Sequence, residues 1–389
     1  MKYIKFKKVL FVIPGFEIGG TNTSLINLLA HLDKSRYDSF VYAINNYGPL
    51  RDEIANYAHI VNPVVHSDNQ PKRSISKSLF RFVKKLGVDL FPLYCRKVAN
   101  SFKNGYYDAI VAFQEGRASQ LVSYCGYTKT IAWVRSEYGR YLKVNNVKPE
   151  VDIYGRFTYI VNVSETAKRN FLSYLPQYKD KTYAIYNFEN NERILSSAAE
   201  YVDIPGTESF TIISIGRVDP VKHFSEIPTI AKALVDKGLH FKWLIVGGKT
   251  ETNPDEYEGI GVGIRSLGLE GVVYQLGYQR NPYAFLKRSN LLVCLSESET
   301  FNHTFVESRL LHVPVLSVNY ESAKEFLKKE EGGMVVARQN MVDAISELIT
   351  NENKYRSLRE SVRRFEYDNS LIISKVNNLI GEKYSYVSD

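Results

Sequence analysis

The sequence predicts an α/β protein built from two doubly wound, Rossmann-like domains. Short apolar runs of strand length alternate with amphipathic or polar stretches of helix length, which is the pattern of parallel βαβ units. The pattern occurs twice along 389 residues, enough for two domains that each bury a core. Such domains are expected to face a central cleft, because doubly wound sheets bind ligands at the carboxyl ends of their strands.

Each predicted strand is a short apolar run bounded by polar or turn residues. In the first half the runs are 9–13, 40–44, 109–113, 130–134, 159–163 and 183–186, and in the second half 211–215, 241–246, 272–276, 291–295 and 313–318. Between the two series, 189–208 loses strand character and gains Ser, Asn, Glu, Pro and Gly, as expected of an interdomain connection. We therefore assign 1–190 to the first domain and 206–365 to the second, with a terminal helix, 366–389, packing back on the first.

The composition is that of a folded protein in a reducing compartment. Apolar residues make up 44% and charged residues 24% of the chain, which argues against a disordered or fibrous protein. The three cysteines lack CxxC spacing, so neither a disulfide framework nor a zinc knuckle is implied. The apolar run 9–13 is too short for a signal peptide, and no run reaches the roughly 18 residues of a membrane span. We expect a cytoplasmic protein whose membrane contact is peripheral.

Positive charge is concentrated in the first half of the chain. The net charge is +8 overall, +11 over residues 1–200 and −3 over the remainder. A positive half attracts nucleic acid, anionic lipid or a phosphorylated substrate, and charge alone does not distinguish them. Segment 72–97 predicts a basic amphipathic helix, which either lies on an anionic membrane surface or packs normally with a solvated face. Its candidate membrane- or acceptor-facing residues are Lys72, Arg73, Lys77, Arg81, Lys84 and Lys85.

Two glycine-containing turns follow predicted strands. Gly19 and Gly20 precede a helix, where backbone N–H groups can approach a phosphate, although glycines also simply permit a tight turn. In the second half, Gly216 is followed by Arg217 and Lys222 just past a strand's carboxyl end. Cations at that place can neutralise a diphosphate.

Glu299 and Glu307 stand eight positions apart across a predicted turn from strand to helix. A helix starting near His303 directs N–H groups and its positive dipole end at an anion. Carboxylates beside such a site can accept hydrogen bonds from sugar hydroxyls. The structural alternative is that Glu299 caps the helix and Glu307 lies on a solvated face.

In combination these motifs resemble the retaining glycosyltransferases of family 4, which have the GT-B fold. The E-x7-E motif is matched by Ser296, Glu299, Thr300, Phe301 and Glu307, the GR-x4-K element by Gly216, Arg217 and Lys222, the GG loop by Gly19 and Gly20, and the VSE strand end by Val163, Ser164 and Glu165. The resemblance implies a UDP- or GDP-sugar donor bound by the second domain, with no cofactor and no metal ion.

The resemblance also implies roles for individual residues. Arg217 and Lys222 are expected to bind the donor diphosphate and Glu299 the transferred sugar, and these three are the candidate catalytic residues. Glu307 is expected to hold the ribose. Further donor contacts are implied for Gly19, Gly20, Gly216, Gly277, Tyr278, Phe301, Asn302, His303 and Thr304.

The chain departs from the family pattern at several positions. Arg135 follows a WV strand end where related enzymes often carry a histidine, so a permanent cation is expected to contact the transferred sugar. Thr300, Asn302, His223 and His312 stand where glycines are common.

The leading hypothesis is a retaining, metal-independent hexosyltransferase of cell-surface polysaccharide biosynthesis. Its acceptor is expected to be a glycan, commonly linked to polyprenyl diphosphate, at the cytoplasmic face of an anionic membrane. The alternative is a catalytically silent GT-B subunit that binds nucleotide or glycan and supports a partner transferase. Nucleic-acid binding is disfavoured because the basic residues accompany no recognisable RNA- or DNA-binding motif.

Overall fold

The computed structural model describes residues 6–61, 90–204, 209–249 and 253–381. The chain divides into two compact units, one formed by residues up to Phe188 together with the segment from Asn369, the other by Glu189–Asp368. Each unit contains one parallel sheet with helices between the strands. The predicted α/β class with two Rossmann-like domains is therefore confirmed.

The first unit has a seven-stranded sheet in the order β3-β2-β1-β4-β5-β6-β7, all parallel. Its strands are β1 (Lys7–Gly15), β2 (Tyr37–Asn45), β3 (His59–Ile60), β4 (Ala109–Ala112), β5 (Lys129–Val134), β6 (Tyr159–Asn162) and β7 (Thr182–Ala184). The run 9–13 within β1 is fully buried, as expected of a central parallel strand covered on both faces. This unit therefore has its core along the middle of the sheet.

Within its described ranges, the first unit has seven helices between these strands. They are α1 (Gly20–His31), α2 (Arg51–Ala55), α3 (Phe91–Phe102), α4 (Arg117–Val122), α5 (Tyr138–Asn145), α6 (Val151–Gly155) and α7 (Glu165–Tyr174). Ser164 caps α7, because its side chain accepts a hydrogen bond from the Ala167 N–H at 3.0 Å. The end of the predicted basic helix 72–97 lies in α3. Its six basic residues, Lys72, Arg73, Lys77, Arg81, Lys84 and Lys85, lie outside the described residues.

The second unit has a six-stranded parallel sheet in the order β10-β9-β8-β11-β12-β13. Its strands are β8 (Phe210–Ile215), β9 (Phe241–Val246), β10 (Val273–Gly277), β11 (Leu291–Cys294), β12 (Val315–Val318) and β13 (Gly333–Val336). Its helices are α8 (Asn191–Ala198), α9 (Ile227–Asp236), α10 (Pro254–Ser266), α11 (Pro282–Lys287), α12 (His303–Leu310), α13 (Ala323–Phe326), α14 (Met341–Thr350) and α15 (Glu352–Val362). The strand order reverses between β8 and β11, which are neighbours, and ligands of such sheets bind at this switch point.

The segment expected to be an interdomain connection, 189–208, instead carries helix α8 of the second unit. Asn190 caps α8 by accepting a hydrogen bond from the Arg193 N–H at 3.0 Å. Within α8 only Ile194 and Ala198 are buried. This narrow apolar stripe explains why the segment's composition is typical of a connection.

After the second unit, the chain returns to the first through α16 (Asn369–Gly381). The Lys129 ammonium, on a side chain only 2% exposed, donates to the carbonyls of Leu379 at 3.0 Å and Ile380 at 3.4 Å. These carbonyls belong to the end of the helix, where backbone acceptors lack intrahelical partners and cations are favoured. Across the described ranges, no helix is both long enough and apolar enough to cross a bilayer.

Candidate functional site

Glycines bring the loops together at the carboxyl ends of β8, β9 and β10. The Gly216 N–H donates to the Val246 carbonyl at 3.0 Å, and the Gly247 N–H donates to that of Gly277 at 2.9 Å. A β-carbon on residue 247 would lie 1.9 Å from the Gly216 oxygen, so this approach requires glycine. Gly216 has φ of 155°, and a β-carbon there would lie 3.2 Å from Cε of Lys222. The glycines therefore let the Lys222 side chain pack against the strand end.

Lys222 and Glu299 form an ion pair at the switch point. Lys222 follows β8, Glu299 follows the neighbouring strand β11, and Nζ lies 2.5 Å from Oε1. Both side chains are mostly buried, with 18% and 17% exposed. Desolvation is the largest single effect and opposes the charged amine, but the attraction of Glu299 together with smaller contributions from Cys294 and Asp219 outweighs it and raises the pKa of Lys222. The Glu297 N–H donates to the Val221 carbonyl at 2.9 Å and ties the two loops together. Two of the three candidate catalytic residues are thus brought together.

Arg217 lies in the same loop as Lys222 but has a different partner. Its guanidinium is 3.5 Å from the Asp219 carboxylate, and 69% of its side chain is exposed. In the described part of the chain, the second oxygen of Asp219, Oδ1, is buried without a hydrogen-bond partner. Arg217 is therefore a solvent-accessible cation at the edge of the site.

Helix α12 begins beside this ion pair and is capped by Asn302. The Asn302 Oδ1 accepts hydrogen bonds from the Thr304 N–H at 3.1 Å and from the Thr304 hydroxyl at 2.6 Å. A phosphate that accepts from the Thr304 N–H, as the resemblance implies, would first have to displace the Asn302 side chain. Phe301 is buried and packs edge-on against Phe326, with ring centroids 5.0 Å apart.

One helical turn into α12, Glu307 belongs to a partly buried polar cluster. The Tyr283 hydroxyl donates to Glu307 at 3.1 Å, and His303 Nδ1 is hydrogen-bonded to the Glu189 carboxylate. Burial, reinforced by repulsion from Glu189, raises the pKa of Glu307. Glu307 therefore does not lie on a solvated face. The structural alternative, which placed it on one, is wrong on this point.

Sequence reasoning did not identify Glu189 or Tyr283 as members of this cluster. Glu189 lies 114 residues before His303 and carries no local motif. Tyr283 is in the first turn of α11, which precedes the E-x7-E segment and packs against α12. The periodicity of a six-residue helix was too weak a signal to place its tyrosine toward Glu307.

Gly277 and Tyr278 close the site at the end of β10. Gly277 is in left-handed backbone with φ of 68°, which favours glycine. Tyr278, the next residue, is 65% exposed. An exposed aromatic ring at the carboxyl edge of the sheet is available to stack on a planar group.

In the first unit, Gly19 and Gly20 lie at the start of α1. Gly19 is extended, with φ of 167°, and its carbonyl accepts from the Thr23 N–H at 3.1 Å. A β-carbon on Gly19 would meet nothing within 4 Å. The Asn22 amide donates to the Gly15 carbonyl at 3.0 Å and holds the loop against β1. Gly19 therefore leaves open space in front of the helix.

Arg135, the expected sugar contact, is held by its own unit. Its backbone N–H donates to Glu115 at 2.8 Å, Nε donates to the Phe113 carbonyl at 3.2 Å, and Nη1 donates to Asn187 at 2.8 Å. The guanidinium also lies 4.0 Å from the centroid of the Phe113 ring. Burial lowers the pKa of Arg135 to about 9, although Glu115 opposes the shift. These contacts favour a role in holding the strand ends together.

The second unit combines an ion pair, an exposed arginine and a helix start at one edge of its sheet. Cations and a helix dipole suit an anionic ligand, and carboxylates suit a ligand with hydroxyl groups. Across the residues with described positions, no group of three or more His, Cys, Asp or Glu side chains is arranged to hold a metal ion. The arrangement is therefore suited to a polyhydroxylated phosphate compound.

Comparisons with known proteins give a family match within the second unit. Residues 203–365 match the family described as "Glycosyl transferases group 1". An uncharacterized glycosyltransferase of Methanocaldococcus jannaschii is 28% identical over 203 residues, which cover 49% of this chain and 48% of the relative. The N-acetylgalactosamine-N,N'-diacetylbacillosaminyl-diphospho-undecaprenol 4-alpha-N-acetylgalactosaminyltransferase of Campylobacter jejuni is 28% identical over 161 residues, 41% of each chain. The chain thus spans about half the length of the curated relatives it matches.

Solved structures show the fold over nearly the whole chain. Anabaena HepE in complex with UDP superposes with a TM-score of 0.73 at 16% identity, covering 96% of this chain and 99% of that protein. Sucrose-phosphate synthase of Thermosynechococcus elongatus gives 0.68 at 13% identity, covering 96% and 98%. The chain therefore has the GT-B fold, and the match to the family described as "Glycosyl transferases group 1" lies within the second unit.

Proposed function

We propose that the chain is a retaining glycosyltransferase of the hexosyltransferase type, which transfers a sugar from a UDP- or GDP-sugar to a glycan. The observation that carries the proposal is the Lys222–Glu299 pair at the switch point, beside the start of α12. When a nucleoside diphosphate leaves, negative charge develops on its β-phosphate. Lys222, Arg217 and the helix start would stabilise that charge without a metal ion, while Glu299 would accept hydrogen bonds from the sugar. Attack by the acceptor on the face that the diphosphate leaves would retain the anomeric configuration.

The acceptor we propose is a lipid-linked glycan of cell-surface polysaccharide biosynthesis. The Campylobacter relative is named for a diphospho-undecaprenol-linked substrate, and another relative, from Rhizobium meliloti, is named for lipopolysaccharide core biosynthesis. The net charge of +11 over residues 1–200 would attract an anionic diphosphate and an anionic membrane. We therefore place the reaction at the cytoplasmic face of the membrane, with peripheral attachment and no cofactor.

Replacing Glu299 tests the proposed reaction. The Glu299→Ala variant should lose at least about 100-fold in transfer from the active donor, because one preorganised polar contact commonly contributes that much. Donors are first found by screening UDP- and GDP-sugars for thermal stabilisation, since a bound ligand raises the melting temperature. Product formation is then followed by mass spectrometry.

Glu297→Ala is the matched control, because Glu297 lies two residues away in the same loop with 66% of its side chain exposed. It should retain activity within about twofold, as surface substitutions usually perturb little. Full transfer activity in Glu299→Ala, with both variants folded by circular dichroism, would contradict the site assignment.

A catalytically silent subunit that supports a partner transferase is the second candidate. Two observations favour it. Arg135 donates to acceptors of its own unit. The Thr304 N–H donates to the Asn302 side chain, which a phosphate would have to displace. Calorimetry separates the two candidates. Tight UDP or GDP binding with no turnover over the whole donor panel would favour the silent subunit, and turnover of any donor would exclude it.

A further inference from the structure

Glu189 and His303 form a partly buried pair at the start of α12. Glu189 is 1% exposed, although a carboxylate is among the groups least often buried without a partner. Its Oε1 is hydrogen-bonded to Nδ1 of His303, the first residue of the helix. A contact between residues 114 positions apart must be built by the fold rather than by local sequence.

Glu189 lies directly before the capping residue of helix α8. The Glu189 carbonyl accepts from the Asn191 N–H at 3.1 Å, and Asn190 caps the helix that follows. Helix α8 packs against α11 and α12, which belong to the same unit. The backbone of Glu189 is therefore anchored directly before a packed helix, which suits a group that orients another side chain.

Three further polar groups face the pair from the surrounding helices. Arg193 comes from α8, Tyr283 from α11, and Glu307 from the next turn of α12. Two carboxylates close to a helix start would repel a phosphate and offset the attraction that the positive end of the helix dipole exerts on it. A positive imidazole hydrogen-bonded to Glu189 reduces this repulsion, because it balances one carboxylate and presents a cation.

We propose that Glu189 is a positioning residue that holds His303 as an imidazolium, so that its second N–H donates to a phosphate of a bound nucleotide. The inference rests on the proposed function for the identity of that ligand. With Nδ1–H bound to the carboxylate, Nε2 lies on the opposite edge of the ring, away from Glu189. A carboxylate hydrogen-bonded to an imidazole stabilises its charged form. His303 therefore adds a cation to those supplied by Lys222 and Arg217.

The test compares UDP affinity at pH 5.5 and pH 8.0 by calorimetry. In Glu189→Gln, which preserves shape and a hydrogen-bond acceptor, affinity should fall about eightfold at pH 8.0 and by less than about twofold at pH 5.5. Both expected changes assume that loss of the carboxylate lowers the pKa of the His303 imidazole by about one unit. In the variant the ring is then mostly neutral at pH 8.0 but still protonated at pH 5.5. Ionisation of UDP itself is common to every variant and cancels. Glu192→Gln, on the exposed side of α8, is the control and should match the unsubstituted chain at both pH values.

A double-mutant cycle shows whether Glu189 acts through His303. In a His303→Gln background, Glu189→Gln should change UDP affinity by less than about twofold at pH 8.0. A loss that persists in this background would mean that Glu189 acts through Glu307 instead, and would overturn the proposal. An unchanged affinity in the single variant Glu189→Gln at pH 8.0 would overturn it as well.

Proton NMR of the imidazole rings gives a readout that needs no ligand. The His303 signal, identified by its loss in His303→Gln, should titrate about one pH unit lower in Glu189→Gln. An unchanged titration would overturn the inference and leave the proposed function intact. Failure of the unsubstituted chain to bind UDP or GDP would overturn both the proposed function and the donor contact, even if the NMR shift is observed.

Discussion

His223 and His312 hold left-handed backbone, with φ of 52° and 60°. At His312 the reason is the end of α12, where the His312 N–H donates to Arg309 O at 3.0 Å and the Val313 N–H donates to Ser308 O at 2.9 Å. This is the Schellman arrangement, in which glycine is the usual residue because it lacks a β-carbon. Both positions therefore have a backbone conformation for which glycine is the usual residue.

Glu150 makes the stability of the first unit depend on pH. Burial, with repulsion from Glu115, raises the pKa of Glu150 to about 7, although the Tyr141 hydroxyl opposes the shift by donating at 3.3 Å. The unfolded carboxyl ionises from about pH 4.5, whereas the folded one stays protonated until about pH 7. Its contribution to stability is therefore fully present below pH 4.5 and is lost as the pH rises to 7.

Glu150→Gln should remove this dependence, because glutamine stays neutral and can still accept from Tyr141. We expect the variant to match the unsubstituted chain near pH 4.5 and to be more stable at pH 8 by on the order of 1–3 kcal/mol. Urea unfolding across this pH range measures the difference. Asp152→Asn, at an exposed position of α6, is the control. A constant difference between Glu150→Gln and the unsubstituted chain at every pH would contradict the assignment.

Single residues could be predicted only where they belong to a motif. The register of Gly216, Lys222 and Glu299 follows from strand, turn and helix order, so the Lys222–Glu299 approach could be anticipated. Pairing of Glu189 with His303 could not, because it depends on how α8 packs against α12. The Asn302 cap on Thr304 was not predicted either, because the N–H groups at this helix start were expected to bind an anion.

Among the elements, the strands were recognised wherever they are long and buried. The strands β3 and β13 were not predicted, for different reasons. His59–Ile60 is only two residues long, and Gly333–Val336 is an edge strand that begins with glycine. Neither carries the continuous apolar run that identifies a central parallel strand such as β1 or β11.

The loops after β8 and β9 supply an element-scale prediction. Gly247→Ala should destabilise the second unit by more than about 3 kcal/mol or prevent its folding, because the added β-carbon meets backbone, 1.9 Å from the Gly216 oxygen. Gly259→Ala is the matched control. It lies inside α10 with nothing within 4 Å of the added carbon, and alanine is the better helix former by about 1 kcal/mol.

Thermal unfolding of the two alanine variants measures the contrast. We expect a lower melting temperature, or insoluble protein, for Gly247→Ala and an equal or higher one for Gly259→Ala. Equal stability of the two variants would mean that the loops can separate, and that the backbone approach at Gly247 does not shape the Lys222 loop.

At the scale of the whole chain, the second unit is one continuous segment and the first is assembled from two. Residues 189–368 supply all six strands of the second sheet, whereas the first unit needs α16 from the far end of the chain. Within α16 the buried residues are Ile372, Val376, Leu379 and Ile380. At roughly 1.5–3 kcal/mol for each buried apolar side chain, their loss is comparable to the whole stability of a domain.

A chain that ends at Asp368 should therefore lose the first unit and keep the second. Without α16, the Lys129 ammonium also loses two carbonyl acceptors in a largely buried position. We expect residues 189–368, produced alone, to unfold cooperatively in urea, and limited proteolysis of residues 1–368 to leave this same fragment. The exposed substitution Lys375→Ala in the full chain should leave both units resistant, which separates the loss of the helix from a change on its surface. If residues 1–368 resist proteolysis in both units, the sheet of the first unit is stable without its terminal helix, and the buried face of α16 contributes far less than its area implies.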